Sequence, residues 1–433
     1  MIDEREIIRR RDMRDVFTFT IDPADAKDFD DALSFAENED GTYQIGVHIA
    51  DVSFYVRPGT PVDDDAYKRG TSVYLVDRVI PMLPEELCND LCSLRPGEDK
   101  LCMSVIFTMD ADARVLKYKI CRTVIRSDAR LNYDEAQDII GGVTWSIPGF
   151  NLVLGTLNSL AQKLRAERIA NGALTIEQDE MRFRLDEHGH PTEIYFEHPN
   201  EAHHLIEEFM LLANRTVAKS VGSGRPFVYR VHDLPDYDKL EEIKKFKQQC
   251  AMTAKMRRHA VSQETLSRAI DILTIRAQAK AVYSTYNIGH YGLAFSHYTH
   301  FTSPSRRYPD LMVHRLVEKY ILTGKKETMP REEMEMMCEH CSACEQEAAQ
   351  AERESIKMFQ AMWMNDHVGE TLPGHISGVT DFGFFVQLDD SRCEGLIHMM
   401  TIEHPEDYVL GDPVNVKVVH VDVNRAQIDF EFA

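Results

Sequence analysis

Thr20-Ile21-Asp22-Pro23-Ala24-Asp25-Ala26-Lys27-Asp28-Phe29-Asp30-Asp31-Ala32 sets five aspartates within ten residues. It directly follows the alternating run Phe17-Thr18-Phe19-Thr20-Ile21, which predicts a strand. Carboxylates crowded this closely oppose one another's ionisation unless a cation compensates them. Oxygen ligands of this kind suit a hard divalent ion, Mg²⁺ above all, whose coordination is commonly shared with substrate phosphate. The bland alternative is an acidic turn facing solvent. Ile21, Phe29, Ala32 and Leu33 are interleaved with the acids and would hold the stretch against a core, which favours the metal site.

The rest of the chain limits what such a site belongs to. A length of 433 residues is long for one domain and predicts a large body with a smaller module. Hydrophobic residues at 43% suit a globular protein with a sizeable core. No apolar run approaches the roughly 18 residues that a membrane helix needs. The start, Met1-Ile2-Asp3-Glu4-Arg5-Glu6, lacks the basic and apolar regions of a signal peptide. Nine cysteines, an odd number in a long acidic chain, fit reduced thiols, so a cytoplasmic location is expected. A net charge of −22 weighs against a uniformly basic nucleic-acid surface, although a channel can be basic under an acidic exterior. Lys244-Lys245 with Lys247, and Lys255 with Arg257-Arg258, read as solvated helix surface.

Residues 1–15 read as a charged, helical lead-in, and 16 to about 127 as mostly strands, among them Tyr43–Ile49 and Cys102–Thr108. Helices are expected over Asn132–Gly141 and Leu152–Asn171, the second closed by Gly172. A hairpin through Met181–Leu185 and Thr192–Phe196 follows, then helices over 201–221, 236–260, 262–281, Asp310–Thr323 and Arg331–His367. Near Gly369 the pattern reverts to short strands joined by glycine turns, and about 65 residues of these suit a small closed barrel. The expected fold is α+β: a large body of antiparallel sheets surrounded by helices over 1–367, and a small all-β barrel over 368–433.

A second block, Ser303-Pro304-Ser305-Arg306-Arg307-Tyr308-Pro309-Asp310, fixes two arginines on a stiff loop, since Pro304 breaks one element and Pro309-Asp310 opens the next. An arginine fork on a rigid loop grips phosphate bidentately. For Arg307 a buried pair with Asp310 is an equal alternative. Tyr74, in Thr71-Ser72-Val73-Tyr74-Leu75, reads on its own as a strand aromatic in a core, and His48 and Asp51 read as structural. Cys338, Cys341 and Cys344 imitate a metal-ligand set, but they lie on one face of a helix without a fourth cysteine and read as core contacts.

Taken together, these blocks resemble the ribonuclease II and ribonuclease R family, bacterial ribonuclease R most nearly. Its signature is Ile-Asp, a short insert, then Asp-x-Asp-Asp, and Asp22, Asp28, Asp30 and Asp31 match the four aspartates in type and spacing. The second block resembles the family's Ser-Pro-Ile-Arg-Arg-Tyr-x-Asp, with Ser305 in place of isoleucine. The resemblance implies an RNB-type catalytic domain followed by an S1-type OB fold. It implies catalytic roles for the four aspartates, as ligands of one or two Mg²⁺ (Mn²⁺ as the alternative), and for Arg306, which would hold the scissile phosphate. Substrate contacts would come from Tyr74, stacking on the terminal base, from Arg307, and on the barrel from Phe382, Phe385 and His398. One or two of the phenylalanines at 382–385 would instead fill the barrel. His203-His204 and Glu207-Glu208 would sit on a helix lining the channel.

The implied activity is 3′→5′ hydrolytic, processive degradation of single-stranded RNA ends to nucleoside 5′-monophosphates by a monomer. The competing expectations are a catalytically weak or inactive RNA-binding member of the same fold, and an unrelated phosphatase of small substrates, which the barrel argues against. The family's cold-shock modules usually precede the catalytic body, whereas this sequence begins almost at the motif, so it is expected to be either a fragment or a naturally short member. Weaker affinity for RNA and stronger salt sensitivity are therefore expected.

Overall fold

The computed structural model describes residues 2–433 other than 175–178, 223, 237–240, 242–244, 246–266, 268–269, 271–272, 275–276 and 325–328. In chain order the first strands are β1 (Arg11–Asp12), β2 (Thr18–Asp22), β3 (Asp31–Glu37), β4 (Tyr43–Ala50), β5 (Val73–Tyr74), β6 (Val79–Ile80), β7 (Asp99–Met109), β8 (Val115–Arg126) and β9 (Ala129–Asn132). Seven of them form one mixed sheet in the order β1-β8-β7-β4-β3-β2-β9. One face of its centre is apolar, with Ile45, Val47, Ile49 and Val105 fully buried, while the other carries the equally buried polar residues Ser34, His48, Ser104 and Thr123. β2 runs antiparallel to β3 and parallel to β9, through Ile21↔Leu131 and Asp22↔Asn132. The acidic stretch is thereby the connection between the end of β2 and the start of β3.

The helices are α1 (Glu4–Arg9), α2 (Val52–Tyr55), α3 (Pro61–Arg69), α4 (Tyr133–Ile140), α5 (Phe150–Ala170), α6 (Glu201–Val221), α7 (Tyr308–Val317) and α8 (Arg331–Asn365). Asn132 and Asn200 cap α4 and α6, each within a reciprocal capping box. α6 buries Leu205, Phe209, Leu212 and Ala213, the spacing of one helical face. Several boundaries differ from the expected ones. The lead-in is helical only to Arg9, because Arg10 is drawn into a buried pair with Asp51 at 2.8 Å and the chain extends into β1. α7 starts at Tyr308 and passes at Glu318 into a wider π-helical turn that ends at Leu322. The helices expected over 236–260 and 262–281, with their two basic clusters, fall largely outside the described residues. Residues 278–281 are described and are not helical, and Val282–Ser284 pairs as a strand with Tyr229–Val231.

His48 is indeed structural: its ring bridges Ser34 Oγ at 2.8 Å and Ser104 Oγ at 2.7 Å inside the sheet. Asp51 lies between Arg10 and Arg122. Cys338 and Cys341 are buried in the core and, like half-buried Cys344, are free thiols.

A hairpin, β10 (Glu180–Leu185) with β11 (Pro191–Glu197), follows α5, and β12 (Tyr229–Val231) pairs with β13 (Val282–Ser284). The C-terminal strands β14 (Thr371–Thr380), β15 (Gly383–Leu388), β16 (Glu394–His398), β17 (Pro413–Asp422) and β18 (Gln427–Phe432) close into a barrel in the order β14-β15-β16-β18-β17. Phe384, Val386, Ile397 and Phe430 fill it, and Ala361 and Met364 of α8 belong to the same cluster. At Gly383 a Cβ would stand 2.2 Å from the Ile397 carbonyl oxygen. Gly383→Ala is therefore expected to destabilise the barrel by ~1–3 kcal/mol, read as a lower melting temperature.

Candidate active site

Because Asp22 ends β2 and Asp31 begins β3, the sheet itself brings these two carboxylates to one edge. The intervening chain is tied down from several sides. Arg130, on β9, donates to the carbonyls of Pro23 at 2.7 Å and Ala24 at 2.9 Å and lies over the Phe29 ring. Ser93 Oγ donates to the Lys27 carbonyl and accepts from the Phe29 amide. The Asp30 carbonyl accepts from the Ala50 amide at 2.9 Å. Phe29 itself is buried, so the loop is held against the core by the apolar residues interleaved in it.

Asp22 and Asp30 are buried, while Asp28 and Asp31 are half-buried. One oxygen each of Asp22, Asp30 and Asp31 is enclosed and has no hydrogen-bond partner among the described residues. Burial pushes the Asp22 carboxyl up to about 8, reinforced by Asp31 and Asp30. It pushes Asp30 up to about 7 and Asp31 to about 6, in both cases against the pull of Arg306. Buried carboxylates without partners ask for a cation, and this donor set of hard oxygens fits Mg²⁺ or Mn²⁺. Among the described residues no three or more His, Cys, Asp or Glu side chains are gathered closely enough to hold a metal ion by themselves. Mg²⁺ ordinarily keeps several waters and takes only one or two carboxylates.

Arg306 faces these acids, its Nε 3.8 Å from Asp30 Oδ2, with 42% of its side chain exposed. Its backbone is clamped, since its carbonyl accepts from the Ser72 amide at 3.0 Å and from Thr71 Oγ1 at 3.1 Å. That clamp joins the arginine loop to the segment carrying Tyr74. Tyr74 keeps 41% of its surface exposed. Burial pushes its hydroxyl up to about 12, with Arg306 opposing and Asp28 and Asp30 reinforcing. The four aspartates, Arg306 and Tyr74 thus form one cluster. Arg307 points the other way, to Asp310 Oδ1 at 2.8 Å, in the buried pair that the sequence left as its alternative. Glu208 is likewise turned inward, onto Arg168, whereas Glu207 stays half exposed.

Phe382, Phe385 and His398 gather elsewhere, at one end of the β15–β16 hairpin. Phe382 is 58% exposed and meets Phe385 edge to face at 5.9 Å, while Phe384 fills the barrel. Gly383 pairs with His398 across the hairpin.

Sequence reading missed four residues that shape the site. Arg130 and Ser93 pin the acidic loop. Glu352 of α8 accepts from the Tyr74 amide at 3.1 Å. Tyr133 stacks on His203 at 3.8 Å and is half-buried near Asp31 and Asp22; burial, reinforced by these two carboxylates, raises its hydroxyl. Only the acidic–aromatic context of Tyr133 next to a helix cap carried any signal.

The raised carboxyls have a consequence for stability. The fold binds protons that the unfolded chain, with aspartates near 3.8, has released. Their contribution is full below about pH 4 and is lost as pH rises through 6 to 8. A divalent cation needs the ionised carboxylates. The rise in melting temperature on adding Mg²⁺ is therefore expected to be larger at pH 8 than at pH 6, and to shrink in Asp22→Asn.

Comparison with known proteins follows the same division. The RNB domain family matches residues 10–323 and the S1 RNA binding domain matches 365–432. The chain is 40% identical to a ribonuclease R of Aquifex aeolicus and 38% identical to that of Thermotoga maritima, in each case over 99% of this chain and 66% of the relative. It thus spans slightly less than two thirds of these relatives' length. Among solved structures it is similar to Mycoplasma genitalium RNase R in complex with ribose methylated single-stranded RNA. The TM-score is 0.91 at 26% identity, covering 100% of this chain and 73% of that one.

Proposed function

The chain belongs to the RNB domain family, and from that premise we propose that it is a 3′→5′ exoribonuclease that hydrolyses single-stranded RNA to nucleoside 5′-monophosphates. One observation carries this reading: three enclosed carboxylate oxygens without hydrogen-bond partners among the described residues cluster at one edge of the sheet, and Asp30 among them meets the half-exposed Arg306, whose backbone is locked. A phosphodiester fits between them, since its oxygens complement the guanidinium fork. Mg²⁺ held by one or two carboxylates at a time from Asp22, Asp28, Asp30 and Asp31 would supply charge neutralisation and Lewis acidity at the phosphate.

The remaining work falls to the chain's own groups. Arg306 holds the scissile phosphate and stabilises the charge that grows on it as water adds and the bond to the 3′ oxygen breaks. Tyr74 stacks on the terminal base, a contact worth ~1–3 kcal/mol and indifferent to sequence. That indifference suits processive movement along a strand. Asp30, buried beside Arg306, would orient the attacking water and accept its proton. In this reading residues 1–367 carry the hydrolysis and 368–433 hold the incoming strand on Phe382, Phe385 and His398. All these residues lie on one chain, so a monomer suffices. Arg307 acts behind Arg306, stiffening the loop through Asp310.

The test is the chemistry of the released nucleotide. RNA labelled at its 3′ end is expected to release label first as a nucleoside 5′-monophosphate, with release stopped by a chelator and the matching DNA spared. Products ending in a 3′- or cyclic phosphate would mean attack by the 2′-hydroxyl and would overturn the reading.

A further inference from the structure

The barrel is fastened to the body at a place the reaction does not use. Arg392, in the turn between β15 and β16, has a left-handed backbone with φ 52°. A non-glycine residue persists in that conformation only where its surroundings over-determine it. Here two separate elements of the body do so. The guanidinium pairs with Asp179, just ahead of β10, and lies over the Phe196 ring of β11, 4.2 Å from its centroid. The Arg392 carbonyl accepts from Gln360 Nε2 of α8 at 3.3 Å. Asp179 is held in turn by His198, and Ile194 of β11 packs against the barrel core.

Arg392 closes one end of the β15–β16 hairpin, and the Phe382, Phe385 and His398 cluster occupies the other. Strand lengths put the two ends ~17 Å apart, at ~3.3 Å per residue. One end is anchored to the body, and the closed barrel carries the aromatic end along with it. We propose that Arg392 is a positioning residue: seated between Asp179 and Phe196, it fixes the angle of the barrel on the body and so the path from the barrel's aromatic end to Asp22, Asp30 and Asp31. This rests on the reading that the barrel holds RNA for the aspartate site. Arg392 touches no substrate, so its effect depends on whether the substrate is long enough to engage both places.

The experiment compares full-length wild type, Arg392→Ala, Asp179→Ala and the double variant on two RNAs. One is a pentamer, and the other is an oligomer of about 25 nucleotides, longer than the ~4–16 that an OB fold covers. For the long RNA, KM is expected to rise about tenfold with kcat unchanged. Both constants should be unchanged for the pentamer. The double variant should add nothing to either single one, because the two residues form one contact. Small-angle scattering without RNA should show a larger radius of gyration in all three variants. Equal losses on both RNAs, additive effects, or unchanged long-RNA KM with unchanged scattering would each overturn the proposal. If wild type cleaves neither RNA, the nuclease reading fails instead, and scattering with long-RNA affinity still decides the anchor.

Discussion

Asp30→Asn is expected to lower RNA turnover by ~10²–10³-fold or more and to leave the metal-free protein at least as stable as wild type at pH 8. The two halves have one cause. Asp30 is buried, one of its oxygens has no partner, and burial pushes its carboxyl up to about 7. At pH 8 it is mostly ionised at a cost to the fold, since a raised carboxyl stabilises only while it keeps its proton. Asparagine has nearly the same shape and no charge, so it removes that cost along with the metal ligand and proton acceptor. Active sites commonly carry this opposition between stability and activity. Thermal melting and RNA digestion on the same preparation read both halves. A variant with wild-type turnover and intact metal binding would remove Asp30 from the mechanism.

Arg306→Ala carries the second large effect. Among the described residues the Arg306 side chain makes no hydrogen bond, its nearest ion-pair partner is Asp30 at 3.8 Å, and 42% of it is exposed, so its loss should barely alter the melting temperature. Turnover should fall ~10²–10³-fold, as when a preorganised charge at the reacting phosphate is removed. Arg306→Lys should recover only part, because an ammonium lacks the planar fork. There is a further signature. Arg306 pulls the Asp30 and Asp31 carboxyls down. Without it both rise, so the ascending limb of the pH–rate profile should move to higher pH. A profile shifted to lower pH, or not at all, would show that Arg306 does not face the carboxylates in the working enzyme.

What the sequence disclosed and what it hid divide along contact range. The acidic loop was legible because its chemistry and its supports, Ile21 and Phe29, lie within a few residues. α6, expected over 201–221, does span Glu201–Val221. The barrel was legible from glycine-punctuated strands, and Gly383 does sit where the Ile397 carbonyl leaves no room for a Cβ. Hidden were the contacts made across the fold. Arg130 reaches the Pro23 carbonyl from over a hundred positions away, and Glu352 orients the Tyr74 amide from still further. Neither residue type announces such a role. Arg307 was undecided because Asp310, three residues on, and a bound phosphate compete for the same fork, and only coordinates show the former taking it. The end of the lead-in helix was hidden for a similar reason, since the partner of Arg10, Asp51, belongs to another element.

The most direct measurement is digestion of single-stranded RNA labelled at its 5′ end, with Mg²⁺, by wild type and Asp30→Asn side by side. The account predicts a ladder that shortens from the 3′ end to a small limit product with wild type, and intact RNA with the variant and with wild type plus chelator. Internal cuts, or no cleavage by a wild-type protein that still binds the RNA, would contradict it.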